Sequence, residues 1–162
     1  MTDHAEKLNL LGMSQGELEA LFADLGEKPY RARQLLQWMY QRRVTDFDTM
    51  TDLSKSLRAK LAERATVALP RVDSQHESSD GTVKWLFASG SGQRVEAVYI
   101  PEPARGTLCI SSQVGCALDC SFCATGAQGF NRNLTAAEII GQVWHANEVL
   151  PSRPNGEAAV TN

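Results

Sequence analysis

Residues 115–134 read GCALDCSFCATGAQGFNRNL and hold three of the four cysteines of this 162-residue chain. Cys116, Cys120 and Cys123 have the spacing C-x3-C-x2-C. Several thiolates on one short loop are typical ligands of an iron–sulfur cluster or of zinc. Structural zinc sites usually have four protein ligands, whereas Cys109 lies seven residues upstream in an apolar run. The pattern favours a cluster with one open iron, which can bind a substrate or cosubstrate directly. Zinc and ordinary thiols are the alternatives.

The same loop carries a family resemblance. Its cysteine spacing, with Phe122 directly before the last cysteine, resembles the signature of radical S-adenosylmethionine enzymes. Residues 107–144 and residues 93–101 (QRVEAVYIP) are similar to the RlmN family within that superfamily. The resemblance implies methylation of carbon 2 of adenine in large-subunit ribosomal RNA and transfer RNA. It also implies bound S-adenosylmethionine with Phe122 beside it, and a 4Fe–4S cluster on Cys116, Cys120 and Cys123.

Two further residues gain roles from the resemblance alone. Glu96 matches the family's proposed proton acceptor, and Cys109 matches one of two thiols that act on the methylation intermediate. The resemblance implies that a radical made from S-adenosylmethionine activates a methyl group on the second thiol. The resulting carbon radical adds to adenine, Glu96 removes the ring proton, and Cys109 frees the product as a disulfide forms. The second thiol, near the family's C-terminus, has no counterpart in this sequence.

Both residues also have simpler interpretations. A glutamate in a strand is usually exposed or ion-paired, and a lone cysteine in a buried strand is usually a small hydrophobic residue. Two other functions remain open for the chain as a whole. One is a Cfr-like methyltransferase acting on carbon 8 of adenine, although residues 128–134 (QGFNRNL) look more like the RlmN family. The other is a non-catalytic iron–sulfur or zinc module that binds RNA.

The cellular setting follows from composition and from the resemblance. Four cysteines in 162 residues and the lack of an apolar signal-peptide core in residues 1–10 favour a reducing, cytoplasmic protein without a disulfide framework. We find no transmembrane segment in the sequence. The resemblance implies ribosomal and transfer RNA as partners and an electron donor such as a flavodoxin-type reductant. We expect a monomer.

Charge is unevenly distributed along the chain. The net charge of −3 argues against a uniformly basic nucleic-acid binder. Residues 28–64, called here the basic segment, nevertheless hold nine basic and four acidic residues, so the segment is +5 and the remainder −8. A basic helical face is most often simply solvated. The resemblance implies an N-terminal accessory domain that engages folded RNA. We expect Arg31, Arg42 and Arg43 to face water and to contact this RNA.

The first half of the chain is predicted to be helical after an arm over residues 1–13. Ser14 and Glu17 form a capping box, and Gly26 is placed to end the first helix. Apolar residues at helical spacing predict further helices over about residues 29–43 and 52–64. Between them, Phe47 and Met50 are predicted to fill the core.

The second half is predicted to be mainly β-structure followed by one helix. Residues 67–80 resemble a linker, and residues 82–88 and 93–100 a β-hairpin. Residues 107–111 are predicted to form a fully buried strand. Thr135 and Glu138 form a second capping box, opening a helix to about Leu150, and residues 157–162 look like the next strand. The histidines at positions 4, 76 and 145 are assigned to the surface or to helices.

Together these elements predict an α/β protein in three parts. Residues 1–68 form the helical accessory domain, residues 69–104 a linker and hairpin, and residues 105–162 the start of a barrel. The resemblance implies a radical S-adenosylmethionine barrel of about six βα units, a partial (βα)6 barrel, of which this chain supplies the first. The sequence is therefore interpreted as an N-terminal fragment that is inactive alone.

Overall fold

The computed structural model describes residues 7–90, 92–118, 120–123, 125–153 and 156–162. The chain divides into two compact units, residues 1–68 and 69–162. Residues 69–104 and 105–162, predicted as separate parts, therefore lie in one unit.

The first unit is a small helical module. Its helices are α1 (Gln15–Asp24), α2 (Tyr30–Leu36) and α3 (Lys55–Arg64), and α2 continues into a π-helical turn at Gln37–Gln41. A short 3-10 turn, Phe47–Thr49, lies before α3. The apolar stripes predicted for the three helices are buried except at Leu21 and Leu36, which are half-buried. The predicted core residues Phe47 and Met50 are buried.

The ends of α1 form as the sequence predicts. The Ser14 hydroxyl accepts from the Glu17 N–H, and the Glu17 carboxylate accepts from the Ser14 N–H. At the other end Gly26 has φ +76°, a conformation that glycine adopts without strain. Its N–H donates to Ala23 and the next N–H, of Glu27, donates to Phe22, so the last carbonyls of α1 are satisfied.

Residues 7–13, the described part of the predicted arm, are not a free arm, contrary to the prediction, and residues 1–6 lie outside the described residues. Strand β1 (Leu8–Asn9) pairs in parallel with β2 (Ala65–Thr66), which follows α3 directly. Leu10 and Leu11 are fully buried. The Asn9 side chain donates to the Ala68 carbonyl and accepts from the Ala68 N–H, which ties both ends of the module together.

The second unit is built on an antiparallel sheet of order β3-β4-β5-β6. The strands are β3 (Val72–Glu77), β4 (Val83–Ala88), β5 (Arg94–Pro101) and β6 (Gly106–Cys109). The predicted β4–β5 hairpin is confirmed, with Val83 opposite Tyr99 and Ala88 opposite Arg94. The predicted linker is wrong over residues 72–77, because these polar residues pair with β4 as strand β3.

One face of this sheet is packed against helix α4 (Ala136–Val149). Trp85, Phe87 and Ala97 are buried on that face. His145 of α4 lies edge-on to Trp85 and Phe87, with ring centroids 5.7 and 5.5 Å apart. The assignment of His145 to an ordinary helix or surface position thus missed its packing role. Of the other histidines, His76 is exposed on β3 and His4 lies outside the described residues.

The strand at residues 107–111 differs from its prediction. It forms β6, which pairs antiparallel with β5, and it ends at an exposed Cys109 rather than being buried throughout. On its other side, the Leu108 N–H donates to Asn162 at 2.9 Å, and the Asn162 N–H donates to Gly106 at 3.2 Å. Asn162 is thus bonded to Gly106 and to Leu108, the two neighbours of Thr107, and this is the hydrogen-bond pattern of parallel strands. The end of the chain therefore lies parallel to β6.

Candidate active site

The cysteine loop, residues 115–131, is closed at its base by two short strands. These are β7 (Gln113–Val114) and β8 (Arg132–Asn133), which pair antiparallel. Gly115 begins the loop with φ +71°, and a Cβ there would lie 1.8 Å from the Gly129 carbonyl oxygen. The Cys116 N–H donates to the same oxygen at 3.3 Å. Cys116 is therefore placed by a backbone contact that only glycine at position 115 permits.

The three loop thiols are half-buried, and two of them, Cys116 and Cys123, accept backbone hydrogen bonds. The Leu118 N–H donates to the Cys116 Sγ at 3.4 Å. Backbone hydrogen bonds from Gly126 and then Thr125 hold the pKa of the Cys123 thiol below its usual value. Gly126 begins a 3-10 turn, Gly126–Gln128, and Thr125 directly precedes that turn. The bonds to Cys123 favour its thiolate, which is the form that binds metal.

The donor set fits an iron–sulfur cluster. Soft sulfur ligands with N–H donors to the sulfur atoms are the chemistry that tunes such clusters. Among the described residues, no group of three or more His, Cys, Asp or Glu side chains is arranged to hold a single metal ion. Asp119 and Ala124, inside the loop, lie outside the described residues. All four cysteines are free thiols.

The structure places Phe122 at the tip of the loop. Its side chain is 90% exposed, and Leu118, across the loop, is 80% exposed. The predicted role of Phe122 beside a cofactor is not tested by this arrangement.

Glu96 and Cys109 lie in one cleft beside the cysteine loop. The cleft has a volume of about 550 Å³ and is lined by the sheet face that α4 leaves uncovered, by the end of β6 and by loop residues Gly115, Thr125 and Gln128. The β5–β6 register sets Val98 opposite Cys109, and Glu96 is two residues along β5 on the same face as Val98. The volume is typical of a site for a small molecule.

Glu96 is ion-paired within this cleft. Its carboxylate lies 3.0 Å from the Lys84 Nζ on neighbouring β4, and both side chains are about half exposed, 52% and 49%. The interpretation of Glu96 as an ion-paired strand residue is thus confirmed as a description of its contacts. The ion pair leaves the Glu96 carboxylate open to the cleft. The role of Glu96 as a proton acceptor stays a prediction.

Two residues of the site were not found from the sequence. Gln142 of α4 is completely buried, and its side-chain amide bonds both backbone groups of Ser111. The Ser111 hydroxyl in turn donates to the Glu96 carbonyl at 2.7 Å. A glutamine in a helix and a serine after a strand carry no sequence signal of their own, because both are common on surfaces.

Glu138 joins three parts of the second unit. Its carboxylate accepts two hydrogen bonds from Arg132 of β8, at 2.7 and 2.8 Å, and caps α4 through the Thr135 N–H. It also accepts from the Gly90 N–H in the β4–β5 turn. Arg132 is the main cause, and together these donors lower the pKa of Glu138 to about 2 against the opposing effect of burial. The predicted second capping box is confirmed and has this additional role.

In the basic segment the three predicted arginines differ in their surroundings. Arg31 is half-buried, because its guanidinium donates to the Asp52 carbonyl and to the Gln34 side chain. The prediction that it faces water is therefore wrong in part. Arg42 is exposed, stacks over the Trp38 ring at 4.0 Å and pairs with Asp52. Arg43, two residues after the π-helical turn, is exposed and has φ +53°.

Comparison with known proteins bears on both units. Residues 8–67 match the family model described as "Ribosomal RNA large subunit methyltransferase N-terminal domain". The chain is 58% identical over its whole length to the dual-specificity RNA methyltransferase RlmN of Marinobacter nauticus, and 60% identical over 88% of its length to that of Alkalilimnicola ehrlichii. The chain thus matches the N-terminal part of the RlmN family.

A solved structure is similar to most of this chain. A radical SAM methyltransferase from Sphaerobacter thermophilus matches 87% of this chain with a TM-score of 0.77 and 44% sequence identity. The chain spans 44% and 40% of the two RlmN relatives and 42% of the crystallised protein. None of the helices in the described part of the chain is long and apolar enough to cross a membrane.

Proposed function

We propose that this chain serves in a radical S-adenosylmethionine enzyme that methylates carbon 2 of adenine in large-subunit ribosomal RNA and in transfer RNA. The observation that carries the proposal is the cleft in which Glu96 and Cys109 lie beside the cysteine loop. The RlmN relatives support the reaction class, since their similarity extends over all of this site.

In this proposal Cys116, Cys120 and Cys123 hold a 4Fe–4S cluster, and Phe122 contacts the S-adenosylmethionine bound beside it. When bound, the cluster supplies the electron that cleaves S-adenosylmethionine, and a flavodoxin-type reductant is the proposed source of that electron. The N–H groups that favour the Cys123 thiolate also help the loop to accept iron.

Glu96 and Cys109 act on the adenine in the same proposal. The Glu96 carboxylate takes the proton from carbon 2, and the electron pair of the C–H bond returns to the ring. A one-electron acceptor takes the unpaired electron that the radical addition leaves on the ring. The Cys109 thiolate then attacks the sulfur of the cysteine that carried the methyl group. A disulfide forms, the sulfur–carbon bond breaks with its electron pair on carbon, and a proton taken up there completes the methyl group of the product. Lys84, at 3.0 Å, holds the Glu96 carboxylate in the cleft until the substrate enters.

The remaining parts have proposed roles as well. Strand β6, the cysteine loop, α4 and the parallel bonds of Asn162 to β6 form the first βα unit of a partial (βα)6 barrel. The first unit, residues 1–68, is an accessory domain that contacts RNA through its basic segment. We also propose that the protein is a cytoplasmic monomer.

The proposal is tested on the full-length protein after anaerobic reconstitution with iron and sulfide. About four irons per chain, lost when Cys116, Cys120 and Cys123 are all replaced by alanine, would support the cluster. Adenine methylation in an RNA substrate is then measured by mass spectrometry of the digested RNA. Glu96→Gln and Cys109→Ala should each lower the rate by about 100-fold or more, because each removes a group that acts on the substrate.

Glu102→Gln is the matched control, since Glu102 is an exposed carboxylate that follows β5 and pairs with Arg105. Its rate should equal that of the unmodified protein. Methylation at carbon 8 would instead identify a Cfr-like enzyme. Zinc in place of iron, with no cleavage of S-adenosylmethionine, would identify a binding module, and normal turnover by Glu96→Gln or Cys109→Ala would exclude that residue's role.

A further inference from the structure

The backbone ladder between β5 and β6 stops short of Glu96. Its register runs from Pro101 opposite Gly106 to Val98 opposite Cys109. Beyond that pair the two strands are joined by a side chain, because the Ser111 hydroxyl donates to the Glu96 carbonyl at 2.7 Å. One hydroxyl therefore spans the gap between the strand that carries the carboxylate and the strand that carries the thiol.

Ser111 is itself held from the opposite direction. The Gln142 Oε1 accepts from the Ser111 N–H, and the Gln142 Nε2 donates to the Ser111 carbonyl, both at 2.9 Å. The amide thus replaces the neighbouring strand that would otherwise satisfy both groups. Gln142 is completely buried, and its Nε2 also donates to the Glu138 carbonyl within α4, so it has little freedom to move.

We infer that Ser111 is a positioning residue which fixes the spacing between Glu96 and Cys109, and that Gln142 holds Ser111 for this task. The inference rests on the proposed function. Cys109, the last residue of β6, is two residues before Ser111 in the chain, and the Glu96 backbone carbonyl accepts the Ser111 bond. Any shift of Ser111 therefore moves the carboxylate and the thiol relative to each other.

This spacing matters because both groups must reach one adenine. The carboxylate takes a proton from the ring and the thiol attacks the sulfur of the same adduct. A displacement of about 1 Å between reacting groups can cost on the order of 100-fold in rate. The Ser111 hydroxyl contacts Glu96 just beyond the last β5–β6 pair. It therefore limits the displacement of Glu96 relative to Cys109, although the two strands no longer pair there.

The test uses the full-length protein and compares Ser111→Ala, Ser111→Thr and Ser112→Ala. Ser112 is exposed, and its carbonyl, which accepts from the Leu134 N–H, is unaffected by the change. We expect Ser111→Ala to lower kcat by about tenfold, with unchanged KM for RNA, iron content and melting temperature. Ser111→Thr keeps the hydroxyl and should restore kcat, whereas Ser112→Ala should match the unmodified protein.

A second measurement does not depend on turnover. Alkylation of Cys109, followed at peptide level by mass spectrometry, should be several-fold faster in Ser111→Ala and unchanged in Ser112→Ala. Normal kcat together with normal alkylation in Ser111→Ala would overturn the inference, as would a loss of kcat that Ser111→Thr fails to restore. Unmodified protein that never methylates RNA would contradict the proposed function, and the alkylation rates would still decide the role of Ser111.

Discussion

At the scale of single residues, Gly115 has the strictest requirement in the candidate site. It combines φ +71° with a backbone oxygen, that of Gly129, 1.8 Å from where a Cβ would be. Alanine there must push Gly129 away and with it the Cys116 N–H bond. We expect Gly115→Ala to reduce the iron bound after reconstitution by at least about half, because strain and clash of this kind distort the local backbone.

The matched control for Gly115 is Gly92→Ala. Gly92 has φ +74°, yet a Cβ there would meet no atom within 4 Å. It therefore isolates the cost of the backbone conformation from the cost of the clash. Equal iron loss in both variants would show that the clash with Gly129 is unimportant.

At the scale of elements, Glu138 couples the start of α4 to β8 and to the β4–β5 turn. Its pKa is about 2, below the ordinary value of 4.5, so the ionised carboxylate stabilises the fold. That stabilisation is complete above pH 4.5 and is lost as the pH falls toward 2. Each pKa unit corresponds to about 1.4 kcal/mol, which gives on the order of 3 kcal/mol at pH 7.

Glu138→Gln should remove this contribution. We expect its free energy of unfolding in urea to be lower than that of the unmodified protein by roughly 2–3 kcal/mol at pH 7. The difference should shrink steadily between pH 4.5 and pH 2.5. Glu157→Gln is the control and should change stability little, because the Glu157 side chain is 62% exposed and lies 3.6 Å from Arg153. A pH-independent difference for Glu138→Gln would contradict the assignment of the low pKa.

The elements also show which features are visible in the sequence. Capping boxes at Ser14 and Thr135 were predicted correctly because cap and partner are three residues apart. Strand β3 was not, since its polar residues become a strand only through pairing with β4, where Gln75 accepts from the Trp85 Nε1. The burial of Gln142 was equally hidden, because it depends on Ser111, 31 residues away.

The candidate site, too, was only partly visible in the sequence. The cysteine spacing and the family resemblance pointed to the loop, to Glu96 and to Cys109. Their placement in one cleft needed the β5–β6 register, which no local pattern contains. The surroundings of Arg31, which donates to the Asp52 carbonyl, likewise depend on a contact between distant residues.

At the scale of the whole molecule, RNA binding by the basic segment is open to test. Arg42 and Arg43 are the appropriate positions because both are exposed, whereas Arg31 is half-buried. Charge reversal at Arg42 also removes its contacts with Asp52 and Trp38. Arg42→Glu with Arg43→Glu should weaken RNA binding and reduce the slope of log Kd against log salt by about one unit per lost phosphate contact. Iron content should be unchanged.

The control reverses the same number of charges in the other unit, at Arg71 and Arg105. It should leave the salt slope at the value of the unmodified protein if the basic segment is the RNA contact. Equal slopes for both double variants would mean that only net charge matters. An unchanged slope for Arg42→Glu with Arg43→Glu would exclude these residues from the RNA interface.

The bond between Gln142 and the Ser111 N–H has one more consequence, for hydrogen exchange. Amide protons within the sheet are protected by neighbouring strands, so they exchange with deuterium when the sheet opens. The Ser111 amide is protected instead by a side chain from α4. Its exchange therefore reports the undocking of α4, and this single proton distinguishes local opening of the helix from opening of the sheet.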